Sequence, residues 1–495
     1  MTIVELLRKN VESDPEKVAI IHKQSQISHK DSYEIANSLA NLLLKLGIVK
    51  GDRVGLLLYK TPEAILSFYG VATAGGVVVP IDYNQPIKGI QYVLENTSPA
   101  ALIVVDQLQP LLSQLRLPCS DDNIVVIGKK SVKRGHRWEE VLAGKTAESP
   151  DVEINKDDIL YLNFTSGSTG APKGAVTSHD NIYWNTLSAV ETLGLTPDDI
   201  HLSMFPAFLH PHELFARGLF LGGTSVLVDT IYPKTIAKAI SDHRVTCMMA
   251  ISSIYKTLLS YHSSSFDFSS LRIPESGGMH TNPALVQEFE ERFGVPIYPV
   301  WGSTEASGIA IATPIAGEYK PGSMGKPCRY YEIKIVGEDG KELPAGEVGE
   351  MAIKGPAVCI EYYNDPDESE KCVMDGWFFT GDLIRRDEEG YFYFVDRKTR
   401  MMKVAGMKVF PLEIEEVLSH HPRIAEVAVI KVMDGLHGEV PKAIIVSKNG
   451  VEISKSDLRK YCETVIPKYK MPRIIEFRNE LPRTTGGKIL YRELK

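Results

Sequence analysis

The ten residues Thr165-Ser166-Gly167-Ser168-Thr169-Gly170-Ala171-Pro172-Lys173-Gly174 hold three glycines, four hydroxyls and one lysine. They follow an apolar, strand-like run at 159–164. Glycine lets a backbone approach a ligand closely and adopt positive φ. Exposed N–H groups and hydroxyls can then surround phosphate oxygens, while the lysine neutralises their charge. The Walker spacing G-x-x-x-x-G-K-[ST] is absent, because Lys173 is followed by Gly174 and preceded by Pro172. The residue types alone also fit a flexible surface loop.

Trp301-Gly302-Ser303-Thr304-Glu305 comes after a second apolar run, 296–300. A carboxylate at a strand's end can hold Mg²⁺, a hard cation that prefers oxygen. The same residues also fit a loop with a capping threonine and a solvated glutamate. Asp375-Gly376-Trp377-Phe378-Phe379-Thr380-Gly381-Asp382-Leu383 offers Asp382, which could accept hydrogen bonds from a ribose diol; Gly-Asp is also a common turn. Lys403-Val404-Ala405-Gly406-Met407-Lys408-Val409-Phe410-Pro411-Leu412-Glu413-Ile414-Glu415 reads as a strand entering a helix. Glu413 and Glu415 in its first turn suit the helix dipole. Leu481-Pro482-Arg483-Thr484-Thr485-Gly486-Gly487-Lys488 brings a lysine close to the C-terminus, where it is ordinarily a solvated tail.

Taken as a set, these segments resemble the signatures of the adenylate-forming superfamily: acyl-CoA synthetases, carrier-loading adenylation domains and beetle luciferases. The phrases S-G-S-T-G-x-P-K-G, W-F-x-T-G-D-L and L-P-R-T-x-x-G-K carry the likeness, supported by 346–364. The resemblance implies activation of a carboxylic acid by ATP with Mg²⁺, then transfer to the thiol of coenzyme A or of a phosphopantetheinyl carrier. It implies a phosphate cradle of Thr165, Ser166, Gly167, Ser168, Thr169, Gly170 and Lys173. Trp301 and Gly302 would lie at the adenine, with Thr304 at the α-phosphate and Glu305 on magnesium. Most members have tyrosine where this chain has Trp301; indole gives a larger stacking face but removes the phenol hydroxyl. Asp382 and Arg397 would hold the ribose, and Gly277, Gly278 and Met279 would frame the adenine and the acyl pocket. Lys403 and Gly406 would border the thiol channel. Lys488 would bridge the carboxylate and the α-phosphate.

The resemblance also implies an acyl pocket that includes His210, Ser276 and Gly308. The segment 205–213 matches the family's P-x-x-H imperfectly, since an ungapped reading puts Leu209 where histidine is common and His210 beside it. It holds no aspartate for an α-ammonium, which disfavours an amino-acid substrate. A fatty or aryl acid is favoured, with His210, His212, Glu213 and Arg217 keeping a hydroxylated acid or a dicarboxylate open. A freestanding enzyme that loads a carrier protein, and a non-catalytic nucleotide-binding protein, are the alternatives.

The elements that must position these residues alternate. Strand-like runs at 54–58, 76–80, 101–105 and 124–127 surround a helix at 61–74. A second series has strands at 224–228, 246–250 and 296–300. Buried runs separated by helices indicate an α/β fold with largely parallel sheets. After about residue 320, glycine-rich turns and short runs such as 331–336 and 350–353 suggest a barrel-like subdomain. A polar run at 396–400 then precedes a helix at 411–418, a strand at 424–432 and a helix near 454–465. The expected architecture is a large N-terminal domain (1–396) with two α/β sheet subdomains and a barrel-like one. A hinge (397–400) follows, then a small mobile α+β C-terminal cap (401–495) carrying Lys488. Thr399 aligns with the family's hinge residue.

The 495 residues are 43% hydrophobic with a net charge of −8, a globular composition without the basic footprint of general nucleic-acid binding. The six cysteines form no C-x-x-C pair, so no zinc or redox cluster is signalled. Scattered thiols, no export-signal layout and no apolar run near a membrane span of roughly 18 residues predict a cytoplasmic protein.

Overall fold

The computed structural model describes residues 1–129, 135–165, 172–261, 265–315, 317–359, 361–404, 406–434, 438–448, 451, 453–483 and 488–494. Ser166, Gly167, Ser168, Thr169 and Gly170 of the expected cradle lie outside them, and Thr165 is described for its backbone alone.

The chain divides into two compact units. One comprises 1–332 with 353–378, the other 333–352 with 379–495. In the first unit, the apolar runs read from sequence become parallel strands. Arg53–Leu57, Val77–Pro80, Ala101–Val105 and Ile124–Ile127 are largely buried, so alternation gives way to continuous hydrophobic stretches. They join a seven-stranded sheet in the order His136–Arg137, Ile124–Ile127, Ala101–Val105, Arg53–Leu57, Val77–Pro80, Ile159–Thr165, Lys173–Ser178. All neighbours run parallel except the last pair. The expected helix at 61–74 is Pro62–Thr73, with proline at its first turn, where a missing N–H costs nothing.

A second sheet carries Ile200–Ser203, Thr224–Leu227, Cys247–Ala250, Ile273–Ser276 and Tyr298–Ser303 as parallel strands. Val18–His22 also joins it, parallel to Thr224–Leu227. Phe68, Leu39, Tyr161 and Phe215 are buried in one core that serves both sheets.

In the second unit, Gly438–Ser447 pairs antiparallel with Ile424–Asp434 and parallel with Ile474–Phe477. The helices Pro411–Ser419 and Lys455–Val465 bury Ile414, Leu418, Leu458 and Cys462 against that sheet. No described helix is long and apolar enough to cross a membrane.

Two buried histidines give the first unit a pH limit. Burial lowers His179 and His201 from the ordinary 6.5 to about 4 each. Their neutral forms are therefore favoured by folding. That stability is complete above pH 6.5 and declines as pH falls toward 4, because the unfolded chain takes up the protons first. Each histidine contributes roughly 3 kcal/mol at most. The urea midpoint should fall steeply from pH 6.5 to 4.5, and a His179→Gln, His201→Gln double variant should flatten that slope.

Candidate active site

Three loops leave the carboxyl ends of parallel strands in the second sheet. Ile200–Ser203 leads into 204–213, Ile273–Ser276 into Gly277-Gly278-Met279, and Tyr298–Ser303 into Thr304 and Glu305. The last two strands are neighbours, and Cys247–Ala250 separates them from the first. Open α/β sheets bind ligands in the crevice outside such ends. The topology therefore brings Met279, Thr304, Glu305 and His210 to one edge of one sheet.

The turn after Trp301 is tight. A Cβ on Gly302 would lie 2.4 Å from the Gly308 carbonyl oxygen. Gly308 has φ +136°, and a Cβ there would fall 2.4 Å from Asn185 Oδ1. Both positions thus require glycine, and the residues between them are held close. Asn185 Nδ2 donates to the Ile309 carbonyl at 3.0 Å. Trp301 and Ser276 are buried, while Met279 and Thr304 are half-buried. Ser276 Oγ accepts from Thr281 Oγ1 at 2.7 Å.

In the segment 205–213, His210 and His212 take different positions. His212 is buried, and its Nδ1 lies 3.0 Å from the Tyr161 hydroxyl. His210 is half-buried, edge-on to Phe205 with ring centroids 5.7 Å apart. Arg217 forms a bidentate pair with the fully buried Glu275, at 2.5 and 2.9 Å. Burial alone would raise the Glu213 carboxyl. Arg217, His212 and His210 outweigh it and bring it down to about 2.

The hairpin of Ile159–Thr165 and Lys173–Ser178 pairs Thr165 with Lys173. Lys173 Nζ forms an ion pair with Glu368 and stands 5.7 Å from the centroid of the Tyr362 ring. The Tyr362 hydroxyl donates to Glu305 Oε1 at 2.8 Å. Burial and the adjacent Glu305 push that phenol well above its ordinary value. Cys359 and Tyr363 also stitch the backbones together. Cys359 N donates to the Glu305 carbonyl at 2.7 Å, and Tyr363 N to the Gly174 carbonyl at 2.8 Å. Lys173 and Glu305, far apart in sequence, are thereby joined through one tyrosine.

In the second unit, Asp382 pairs in register with Arg397 across antiparallel strands. Asp382 is buried, and Arg397 Nε meets its Oδ1 at 2.6 Å. Arg397 also donates from Nη1 to the Thr380 carbonyl at 3.1 Å. Next to this pair, Arg400 bridges two buried carboxylates. It lies 3.2 Å from Asp396 Oδ1 and 2.6 Å from Glu415 Oε1, with its guanidinium 4.0 Å from the Tyr491 ring centroid. The Lys403 backbone N–H donates to Glu439 Oε2 at 2.7 Å, and Gly406 turns the hairpin of Met402–Val404 and Met407–Val409. Lys488 is exposed and directly precedes Ile489, which bridges to Arg483.

Residue types and spacing did not single out Tyr362, Glu368 or Arg400 for the site. The sequence signal nearest to Tyr362 and Glu368 was the segment 346–364, noticed as a phrase rather than for its tyrosine.

The chain matches the family model "AMP-binding enzyme" over residues 7–363, and "AMP-binding enzyme C-terminal domain" over 413–488. It is 31% identical to a long-chain-fatty-acid–CoA ligase of Bacillus subtilis, covering 100% of this chain and 94% of the relative. The solved anthranilate CoA ligase AuaEII in complex with anthranoyl-AMP superposes with a TM-score of 0.91 at 29% identity, covering 100% and 96%. The o-succinylbenzoate coenzyme A synthetase of Bacillus subtilis, in complex with ATP and magnesium, does so with 0.87 at 27% identity, covering 99% and 98%. At these scores the fold is shared along the whole chain.

Proposed function

We propose how this chain, which belongs to the AMP-binding enzyme family, runs its reaction and on which class of acid. It is an AMP-forming acid–CoA ligase. The substrate carboxylate attacks the α-phosphorus of ATP, forming an acyl-adenylate and releasing pyrophosphate. The thiol of CoA then attacks the acyl carbonyl, and AMP departs.

The observation that carries the residue assignment is the Tyr362 link between Glu305 and Lys173. It couples the carboxylate proposed for the metal to the lysine proposed for the phosphates. Glu305 is half-exposed and has one oxygen engaged by a phenol. That fits Mg²⁺, which takes one or two carboxylates and fills its remaining positions with phosphate oxygens and water. When bound, the ion supplies positive charge to the phosphate oxygens. Thr304 would position the α-phosphate, and Trp301, Gly302, Gly277, Gly278 and Met279 the adenine. Asp382 would accept from the ribose hydroxyls, oriented by Arg397. Lys173, with residues 165–170, would hold the leaving pyrophosphate.

The proposed C-terminal cap, 401–495, would turn about 397–400 between the half-reactions. It would bring Lys488 to the carboxylate for the first, and Lys403 and Gly406 to the thiol for the second. Ser276, Gly308 and His210 would line the acyl pocket. Arg217 has its guanidinium fork committed to Glu275 and is not offered to a second carboxylate, which supports a fatty or aryl acid over a dicarboxylate. The six free cysteines are consistent with a reducing, cytoplasmic setting.

A pyrophosphate-release screen over fatty, aryl and short acids, with and without CoA, tests this. Release with fatty or aryl acids, and turnover with micromolar CoA, is expected. Turnover only when a phosphopantetheinyl carrier protein replaces CoA would move the acceptor assignment. No release with any acid would defeat the proposal.

A further inference from the structure

Lys173 is assigned above to the departing pyrophosphate, yet its ammonium already faces a carboxylate. Glu368 sits on the short helix Pro366–Cys372, and both partners of the pair are about one-fifth exposed, at 21% and 22%. The Lys173 ammonium holds the Glu368 carboxyl below its ordinary value, which favours the carboxylate. A lysine in a partly buried ion pair offers far less charge to an incoming phosphate than one in water does. It must exchange one anion for another.

We propose that Glu368 is a positioning residue that trades places with the β- and γ-phosphates on Lys173. It gives up the lysine when ATP enters and recaptures it as pyrophosphate leaves. The inference rests on the reading of Lys173 given above. Two observations make the exchange feasible. Lys371 stands 3.9 Å from Glu368 Oε2 on the same helix, so the carboxylate keeps a cation when Lys173 turns away. The Tyr362 ring lies 5.7 Å from the ammonium, and its π-face tolerates a cation on either course. Without Glu368 the ammonium would hold pyrophosphate harder, and release would slow.

The test is titration calorimetry of the full chain with Mg-ATP, inorganic pyrophosphate and AMP. Glu368→Gln keeps the shape and removes the charge. It should tighten ATP and pyrophosphate binding by roughly three- to tenfold, as expected for one partly screened charge. AMP, which lacks the β- and γ-phosphates, should bind as before. Product inhibition by pyrophosphate should strengthen by the same factor. Asp367→Asn removes an exposed carboxylate from the same helical turn and should change none of these. Equal tightening in Asp367→Asn would reduce the effect to general electrostatics and overturn the proposal. Unchanged or weaker ATP binding in Glu368→Gln would overturn it too. Failure of the unaltered protein to bind ATP or pyrophosphate would instead defeat the underlying reading of Lys173, and the exchange with it.

Discussion

Lys488→Ala should lower acid-dependent ATP–pyrophosphate exchange by about a hundred- to a thousandfold, while thioester formation from supplied acyl-adenylate falls less than about threefold. The size follows from the charges. Two unit negative charges roughly 4 Å apart repel by about 4 kcal/mol at an effective dielectric near 20, about a thousandfold in rate. A carboxylate approaching the α-phosphate meets that barrier in the first half-reaction. The second half-reaction brings a thiol to a neutral acyl carbon, where the barrier is absent. Lys488→Arg should recover part of the loss, because it keeps the charge and changes the geometry. Equal loss in both half-reactions would show that Lys488 acts on folding or nucleotide binding, and would refute its assignment to the first step.

Arg217→Met should be the most destabilising change in the first unit, costing about 3–5 kcal/mol. The guanidinium satisfies both oxygens of Glu275, which is fully buried, and it is the main counter-charge holding Glu213 low. Methionine would fill most of the volume, leave Glu275 without its cation and deprive Glu213 of its main counter-charge. The loss should be read as a lower urea midpoint at pH 7. A compensating Arg217→Met, Glu275→Gln variant should recover stability, since breaking one side of a buried pair is costlier than neutralising both. An Arg217→Met variant within 1 kcal/mol of the parent would mean that water reaches the cluster.

Much of the fold was legible in the sequence because its strands are short, buried and apolar. The runs at 101–105 and 124–127 match their observed strands to the residue. The helix at 61–74 lost only its ends. Pairing was not legible. Nothing local to Val18–His22 announces that it will lie beside Thr224–Leu227. Lys173–Ser178 alternates too weakly to stand out from the glycine-rich residues before it. The same limit applies to the site. Lys173, Glu305 and Asp382 could be named from motifs because each sits in a dense local phrase. Glu368 could not, because its importance comes from an ion pair with a residue 195 positions earlier. Arg400 read as one charge in a polar run, whereas the structure buries it between Asp396 and Glu415.

Lys173–Ser178 is the outermost strand of its sheet, and residues 361–363 cover its far side. Val176 N donates to the Glu361 carbonyl at 3.1 Å, and Tyr363 N to that of Gly174 at 2.8 Å. During synthesis, the ribosome delivers the strand long before its cover. Until residue 361 emerges, the nascent chain presents a row of bare amides and carbonyls to any other strand nearby. Chains that terminate early, between the strand and its cover, therefore keep that edge open to aggregation.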